Sequence, residues 1–487
     1  MENKLLQELS NNWLIEATID SIQEKYEKEE ITAKQLVLMY LHRIANYDSS
    51  LRSIIEINPD ALQIAMALDA ERKEIGPRGS LHGIPVLLKD NLDTNDKMHT
   101  SAGSLALADS RASEDSYVAY LLREAGAIIL GKTNMTEWAN FMTEGMPSGY
   151  SSRGGQTLNP YGPGKFDVGG SSAGSGSAIA ANFAVVAVGT ETSGSILSPA
   201  SQNSLVGIKP TVGLVSRAGI IPIAHTQDTA GPMARTVKDA AYLLTAMAEV
   251  DERDPITYTG RTLSSTDFTQ FLDVDGLQSA RIGIAREVYF DYLSEEKRSV
   301  MDQAVKKLEE LGATVIEDVK IPSSKNKWSY DVLTYEFKVD LNAYLRNLDS
   351  SVKVRNLSDL IAFNKENKEK MLKYGQIILE EAEITSGTLT EKEYLEALEN
   401  DHYHSTENGI DFVLNEHQLD AIVFPNNIGA SIPAKAGYPS ITVPAGYTSE
   451  GEPVGITFTG TAYSEATLIK LAYAYEQGTK YRIPPKL

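Results

Sequence analysis

The chain has 487 residues, 42% hydrophobic and 23% charged, which is the balance of a globular protein long enough to bury a sizeable core. A formal charge of −21 repels nucleic acid and anionic membranes, so neither is expected as a partner. The absence of cysteine excludes disulfides, thiolate catalysis and cysteine-ligated metal centres.

The N-terminus mixes acids and amides with its apolar residues, so no signal peptide is expected and the cytoplasm is the default compartment. No apolar run approaches the roughly 18 residues of a membrane span; the longest, Ala178 to Val188, contains Asn182. Leu14 to Tyr47 reads as two helices, the second opened by Ile31-Thr32-Ala33. Pro85 to Leu88 reads as a short buried strand with Lys89 just past its end. Ser113 is the expected N-cap of a helix running to Gly126, followed by a strand at Ala127 to Leu130. The same helix–Gly–strand pattern recurs at Glu295 to Ile316, where Val300, Met301, Ala304, Val305, Leu308 and Leu311 form one helical face. Further strands are expected at Ala184 to Val188, Ile282 to Ala285, Ala421 to Phe424, Ile441 to Val443 and Gly455 to Thr459. A helix after Ser464 turns Leu468, Leu471, Ala472 and Tyr475 inward.

Alternating helices and short apolar strands predict an α/β fold, a single large mixed β-sheet covered by helices on both faces. Residues 1–75 are expected to pack on it as a helical segment, with 76–487 forming the α/β domain. Within that domain, residues 325–415 are charged, poor in Gly and Pro, and read as a mostly helical insertion. Two readings stay open for the insertion: a wall of the substrate entrance, or a structural layer only.

Three segments carry chemistry. A lysine at the end of an apolar strand, as in LHGIPVLLKDN, sits where ligands bind in α/β folds, and desolvation would make Lys89 a neutral base. The alternative is a solvated lysine paired with Asp90. The Gly169–Gly176 run, GGSSAGSG, leads into an apolar helix–strand segment, where glycines permit close backbone approach. Gly189-Thr-Glu-Thr-Ser-Gly-Ser195 follows a strand and can aim successive backbone N–H groups at one point, as an oxyanion hole requires.

Rival motifs fit less well. Gly170-Ser-Ser-Ala-Gly174 matches a nucleophile elbow, but no strand precedes it, and His225, His402, His404 and His417 lack supporting context. Gly164-Lys165 is followed by Phe166 and makes no phosphate loop. His402 and His404, two apart on a helix, point in different directions and read as surface residues.

Taken together the three segments resemble the amidase signature family, from about Ile31 to the C-terminus and most densely from Leu81 to Thr236. The 24-residue spacing of Ser171 and Ser195 matches the family pattern, as do Gly131-Lys-Thr-Asn-Met-Thr-Glu and Gly437-Tyr-Pro-Ser-Ile-Thr-Val-Pro-Ala-Gly. The resemblance implies Ser195 as nucleophile, Ser171 as bridging serine after a cis Gly170–Ser171 peptide, and Lys89 as base. It also implies backbone N–H groups of Thr192, Ser193, Gly194 and Ser195 as oxyanion donors, and no metal or organic cofactor. For Ser172, support by hydrogen bonding and a helix N-cap role both stay open. Residues 189–236 look most like the bacterial peptide amidase branch, whose members release ammonia from C-terminal peptide amides. Two positions depart from the family pattern. Leu197 stands where many members have Arg, which weakens a reading as a tRNA-amidotransferase glutaminase subunit, and Ser193 stands where Gly or Asp is usual. The expected function is hydrolysis of small or peptide-like amides, with no obligate partner. An esterase or acyl transferase with the same triad, or a non-catalytic or glutaminase-type subunit of an amidotransferase complex, are the alternatives.

Overall fold

The computed structural model describes residues 4–487. Among the described residues thirteen strands form in chain order: β1 Ile54–Ile57, β2 Pro85–Lys89, β3 Ile128–Thr133, β4 Tyr150–Ser151, β5 Gly155–Gln156, β6 Val186–Glu191, β7 Val206–Lys209, β8 Thr229–Ala234, β9 Arg281–Ile284, β10 Thr314–Ile316, β11 Ala421–Pro425, β12 Ser440–Tyr447 and β13 Pro453–Thr459. Eleven join one mixed sheet in the order β1-β3-β2-β6-β8-β7-β12-β13-β11-β9-β10, while β4 and β5 pair separately. The centre is parallel between β3, β2 and β6 and antiparallel from β6 through β11. β2 and β6 are buried along their whole length, as strands covered on both faces must be.

Two helix layers cover the sheet. Helices Ala173–Ala180 and Leu197–Gln202 pack on each other and over β2, β6, β7 and β12; Val237–Met247 and Glu465–Thr479 form a second packed pair over β8 and β12. The predicted mixed α/β architecture is therefore the observed one. Thr18 and Thr32 close capping boxes at helices Ile19–Glu27 and Ala33–Leu51, each Oγ1 accepting from the backbone three residues on.

Several local expectations shift. The segment 1–75 contains strand β1, which pairs antiparallel with β3 and edges the sheet. The helix before β3 starts at Tyr117, capped by Ser116 rather than Ser113. Asp115 is held instead by Arg123 and the Asn95 N–H, which keeps residues 113–115 out of the helix. The glycine run does not precede the helix but forms it: Ala173–Ala180 begins inside GGSSAGSG. Packing outweighs helix propensity here, because a Cβ on Gly174 would lie 2.4 Å from the carbonyl oxygens of both Asn134 and Ser53.

The mostly helical stretch 325–415 builds a second apolar cluster. Val332, Phe337 and Leu341 pack with Trp138, Phe141, Ile221 and Ile223 rather than joining the main core. That cluster sets helix Asp331–Arg346 against the loops that follow the central strands. Among the described residues, no helix is long and apolar enough to cross a membrane.

Candidate active site

The ends of β2 and β6 lie side by side because the two strands pair in parallel. Lys89 ends β2 and is fully buried. Strand alternation sends it and Asp90 to opposite sides, so the pairing with Asp90 does not form. Asp90 instead accepts from the Gly103 N–H at 2.9 Å and from Ser101, and faces Arg153. Lys89 Nζ lies 2.7 Å from Ser171 Oγ, 2.8 Å from Thr190 Oγ1 and 3.2 Å from the Thr190 carbonyl. Burial pulls its pKa down to about 7, against the opposing pull of the Glu191 and Asp228 carboxylates.

The Gly170–Ser171 peptide is cis. Ser171 is fully buried, and its carbonyl accepts from the Thr136 N–H at 3.0 Å. Ser172 precedes the helix but does not cap it. Its hydroxyl reaches across to β6, donating to the Thr190 carbonyl at 3.1 Å and accepting from the Thr190 N–H at 3.2 Å. The Ser172 N–H donates to the Ser195 carbonyl at 3.2 Å, joining the two serine segments. Ser195 is 8% exposed and Ser171 is not exposed, so of the two only Ser195 can meet a ligand without rearrangement. Among the described residues no hydrogen bond joins their hydroxyls. Such contacts often tighten only when substrate is bound.

The turn after β6 is organised by a residue the sequence reading passed over. Glu191 is buried, and its carboxylate accepts N–H groups from Gly194, Ile196 and Leu197 at 2.7, 2.7 and 3.0 Å. Gly194 adopts φ +83°, a conformation that favours glycine. Its N–H is therefore already engaged, which leaves Thr192, Ser193 and Ser195 as the predicted donors with no protein acceptor among the described residues. A carboxylate inside GTETSGS was the visible signal for this clamp, but its partners are local only once the turn has folded.

A cleft of about 420 Å³ opens beside this arrangement, and Thr190, Thr192, Asn91 and Asp228 line it. Lys89, Ser171 and Ser195 do not line it themselves; Thr190, which Lys89 contacts, connects the lysine to its wall. Asp228 is half-buried in the cleft wall, accepts from Thr192 Oγ1 and from the N–H groups of Ile223 and Ala224, and has its pKa raised to about 6 by desolvation. Helix Asp331–Arg346 adds Asp340 and Tyr344 to the wall, so the helical stretch borders the cleft. His225 has the context its sequence position did not reveal. Its Nδ1 lies 2.9 Å from Asp340, and its Nε2 is 3.6 Å from Glu336. Both ring nitrogens thus face separate carboxylates, which ties the core loop to the helical layer. The ligand atoms of the three residues lie within 4.8 Å of one another, but this opposed arrangement is that of an ion-pair bridge rather than a converging metal site.

A family model described as Amidase matches residues 35–469. This chain belongs to the amidase signature family. It is similar to a probable amidase of Arabidopsis thaliana, 44% identical over 97% of this chain and 91% of the relative. Its fold matches that of the native peptide amidase from Stenotrophomonas maltophilia, with TM-score 0.92 and 45% identity over 96% of this chain and 98% of the other. An amidase family protein from Bacillus anthracis matches with TM-score 0.94 and 41% identity, over 100% and 95% of the two chains. The chain is an amide-hydrolysing enzyme, close in structure to peptide amidases.

Proposed function

We propose that this amidase hydrolyses small and peptide-like carboxamides, C-terminal peptide amides above all, through Ser195, Ser171 and Lys89. The observation that carries the reading is Lys89, fully buried, with Nζ 2.7 Å from Ser171 Oγ and a pKa near neutrality. A neutral amine in that position is a competent base at pH 7.

Lys89 Nζ takes the proton of Ser171 Oγ as Ser171 takes that of Ser195, and Ser195 Oγ adds to the amide carbon. The N–H groups of Thr192, Ser193 and Ser195 stabilise the oxyanion. Ser171 then hands a proton to the leaving nitrogen and recovers one from Lys89; the C–N bond breaks and ammonia departs. Water, deprotonated by the same relay, releases the carboxylate from the acyl-enzyme. Thr190 holds Lys89 through two contacts, and Ser172 fixes Thr190. The structural likeness to the Stenotrophomonas peptide amidase supports the substrate class.

The test is ammonia release from simple amides, amino-acid amides and C-terminally amidated dipeptides. The expected result is release from all three groups, fastest from the dipeptide amides. Cleavage of esters with no ammonia from any amide would favour the esterase reading instead.

Glu191→Gln tests the loop clamp. A glutamine has one acceptor oxygen for three N–H groups, so the turn loses its template, and kcat should fall about 10- to 100-fold. Because the Glu191 charge raises the Lys89 pKa, removing it should also move the acid limb of the pH–rate profile to lower pH. A fall in kcat with an unmoved limb would separate Glu191 from the charge balance at Lys89.

A further inference from the structure

Buried polar atoms in folded proteins are almost always paired, and leaving one unmet is costly. Asn91 breaks this pattern inside the cleft. It sits two residues after Lys89, is 2% exposed, and its Oδ1 has no partner among the described residues. The rest of the residue is tightly held. Nδ2 donates to Thr190 Oγ1 at 3.0 Å, and the backbone carbonyl accepts from the Ile221 N–H at 2.9 Å. The side chain is therefore positioned, with one lone acceptor in a residue that lines the cleft.

The carboxylates that line the cleft are already used. Asp228 takes Thr192 Oγ1 on one oxygen and two backbone N–H groups on the other. Asp254 takes the guanidinium and the N–H of Arg217. Among the side-chain oxygens of the cleft in the described residues, Asn91 Oδ1 is the buried acceptor left for a ligand's neutral N–H donor. The departing ammonia is far too small to fill about 420 Å³, so the cleft holds the acyl side of the substrate. In a peptide amide the first donor on that side is the α-N–H of the amidated residue; a simple aliphatic amide has none.

We propose that Asn91 is a specificity-determining residue whose Oδ1 accepts the α-N–H of the amidated residue, selecting N-acylamino-acid amides over simple aliphatic amides. This rests on the peptide-amide reading above. Asn91 also touches Thr190, which holds Lys89, so a test must separate recognition from general damage to the site.

The experiment measures ammonia release from N-acetyl-phenylalaninamide and from its analogue in which a methylene replaces the α-nitrogen, with wild type, Asn91→Leu and Asn91→Ala. Wild type should favour the N–H substrate by at least about tenfold in kcat/KM, the cost of leaving a buried acceptor unpaired. Either variant should abolish most of that preference, whatever it does to the rate on the methylene analogue. Equal losses on both substrates, with the preference intact, would mean a structural role and overturn the proposal. Wild type showing no preference would overturn it without any variant, while leaving the peptide-amide reading in place. No ammonia from either substrate would remove both.

Discussion

Ser195→Ala is expected to lower kcat/KM for ammonia release by about 10⁴-fold or more, the scale on which loss of a serine nucleophile acts in hydrolases. The proposed mechanism has no substitute for it. Ser171 is fully buried and hydrogen-bonded to Lys89, so it cannot move forward to attack without breaking the relay. The exchange removes one oxygen from a residue that is 8% exposed and whose hydroxyl makes no hydrogen bond to protein among the described residues. Stability should therefore change little, and an unchanged melting temperature would show that the loss is chemical. The three free N–H groups of the turn remain, so the variant should still bind amides with near-normal affinity. Ammonia release equal to wild type would strip Ser195 of the role proposed for it.

Lys89→Met carries the second large effect. Loss of a positioned general base costs about 10²–10⁴-fold in rate, and here the relay through Ser171 would lose its terminus. Wild-type activity should rise with pH through a limb near 7, where Lys89 gives up its proton. In Lys89→Met that limb should vanish. Stability should change in the opposite direction from activity. The folded protein holds Lys89 neutral above about pH 7, whereas the unfolded chain keeps it charged up to about 10.5. Between those values unfolding takes up a proton, so wild-type stability rises with pH across the window and the penalty is greatest at and below pH 7. Removing the group should therefore stabilise the protein most at neutral pH, on the order of 4 kcal/mol before the lost contacts to Ser171 and Thr190 are subtracted. Melting temperatures of the two proteins should converge as pH rises from 7 towards 10. A gap that does not depend on pH would mean that Lys89 is charged in the folded state, and the relay would lose its base.

The Glu191 and Lys89 expectations are linked. Both read the same acid limb, one moving it and the other removing it, and a double variant should show no further shift from the loss of Glu191. That follows because the carboxylate can influence the limb only through the amine it faces.

Much of the fold and of the candidate site could be read in the chain itself. Apolar runs such as Pro85–Leu88 and Ala421–Phe424 are strands because a sheet covered on both faces demands continuous hydrophobicity, a purely local property. The two serines 24 residues apart, and a lysine at the end of a strand, are likewise visible as spacing. Strands without a continuous apolar run were not legible. Thr229–Ala234 reads TAGPMA, Val206–Lys209 ends in a lysine, and Ile54–Ile57 lies among helices; each is a strand because its neighbours pair with it. The same division runs through the site. The resemblance to the amidase signature family pointed to Lys89, Ser171 and Ser195, but only the parallel pairing of β2 with β6 sets Lys89 against Thr190 and desolvates it. Only the folded turn lets Glu191 gather three N–H groups, and only the cleft shows Asn91 with an oxygen left over. Residue type and local periodicity are properties of the chain. Burial, pairing and the absence of a partner are properties of contacts between distant segments, and they exist only once the sheet has closed around them.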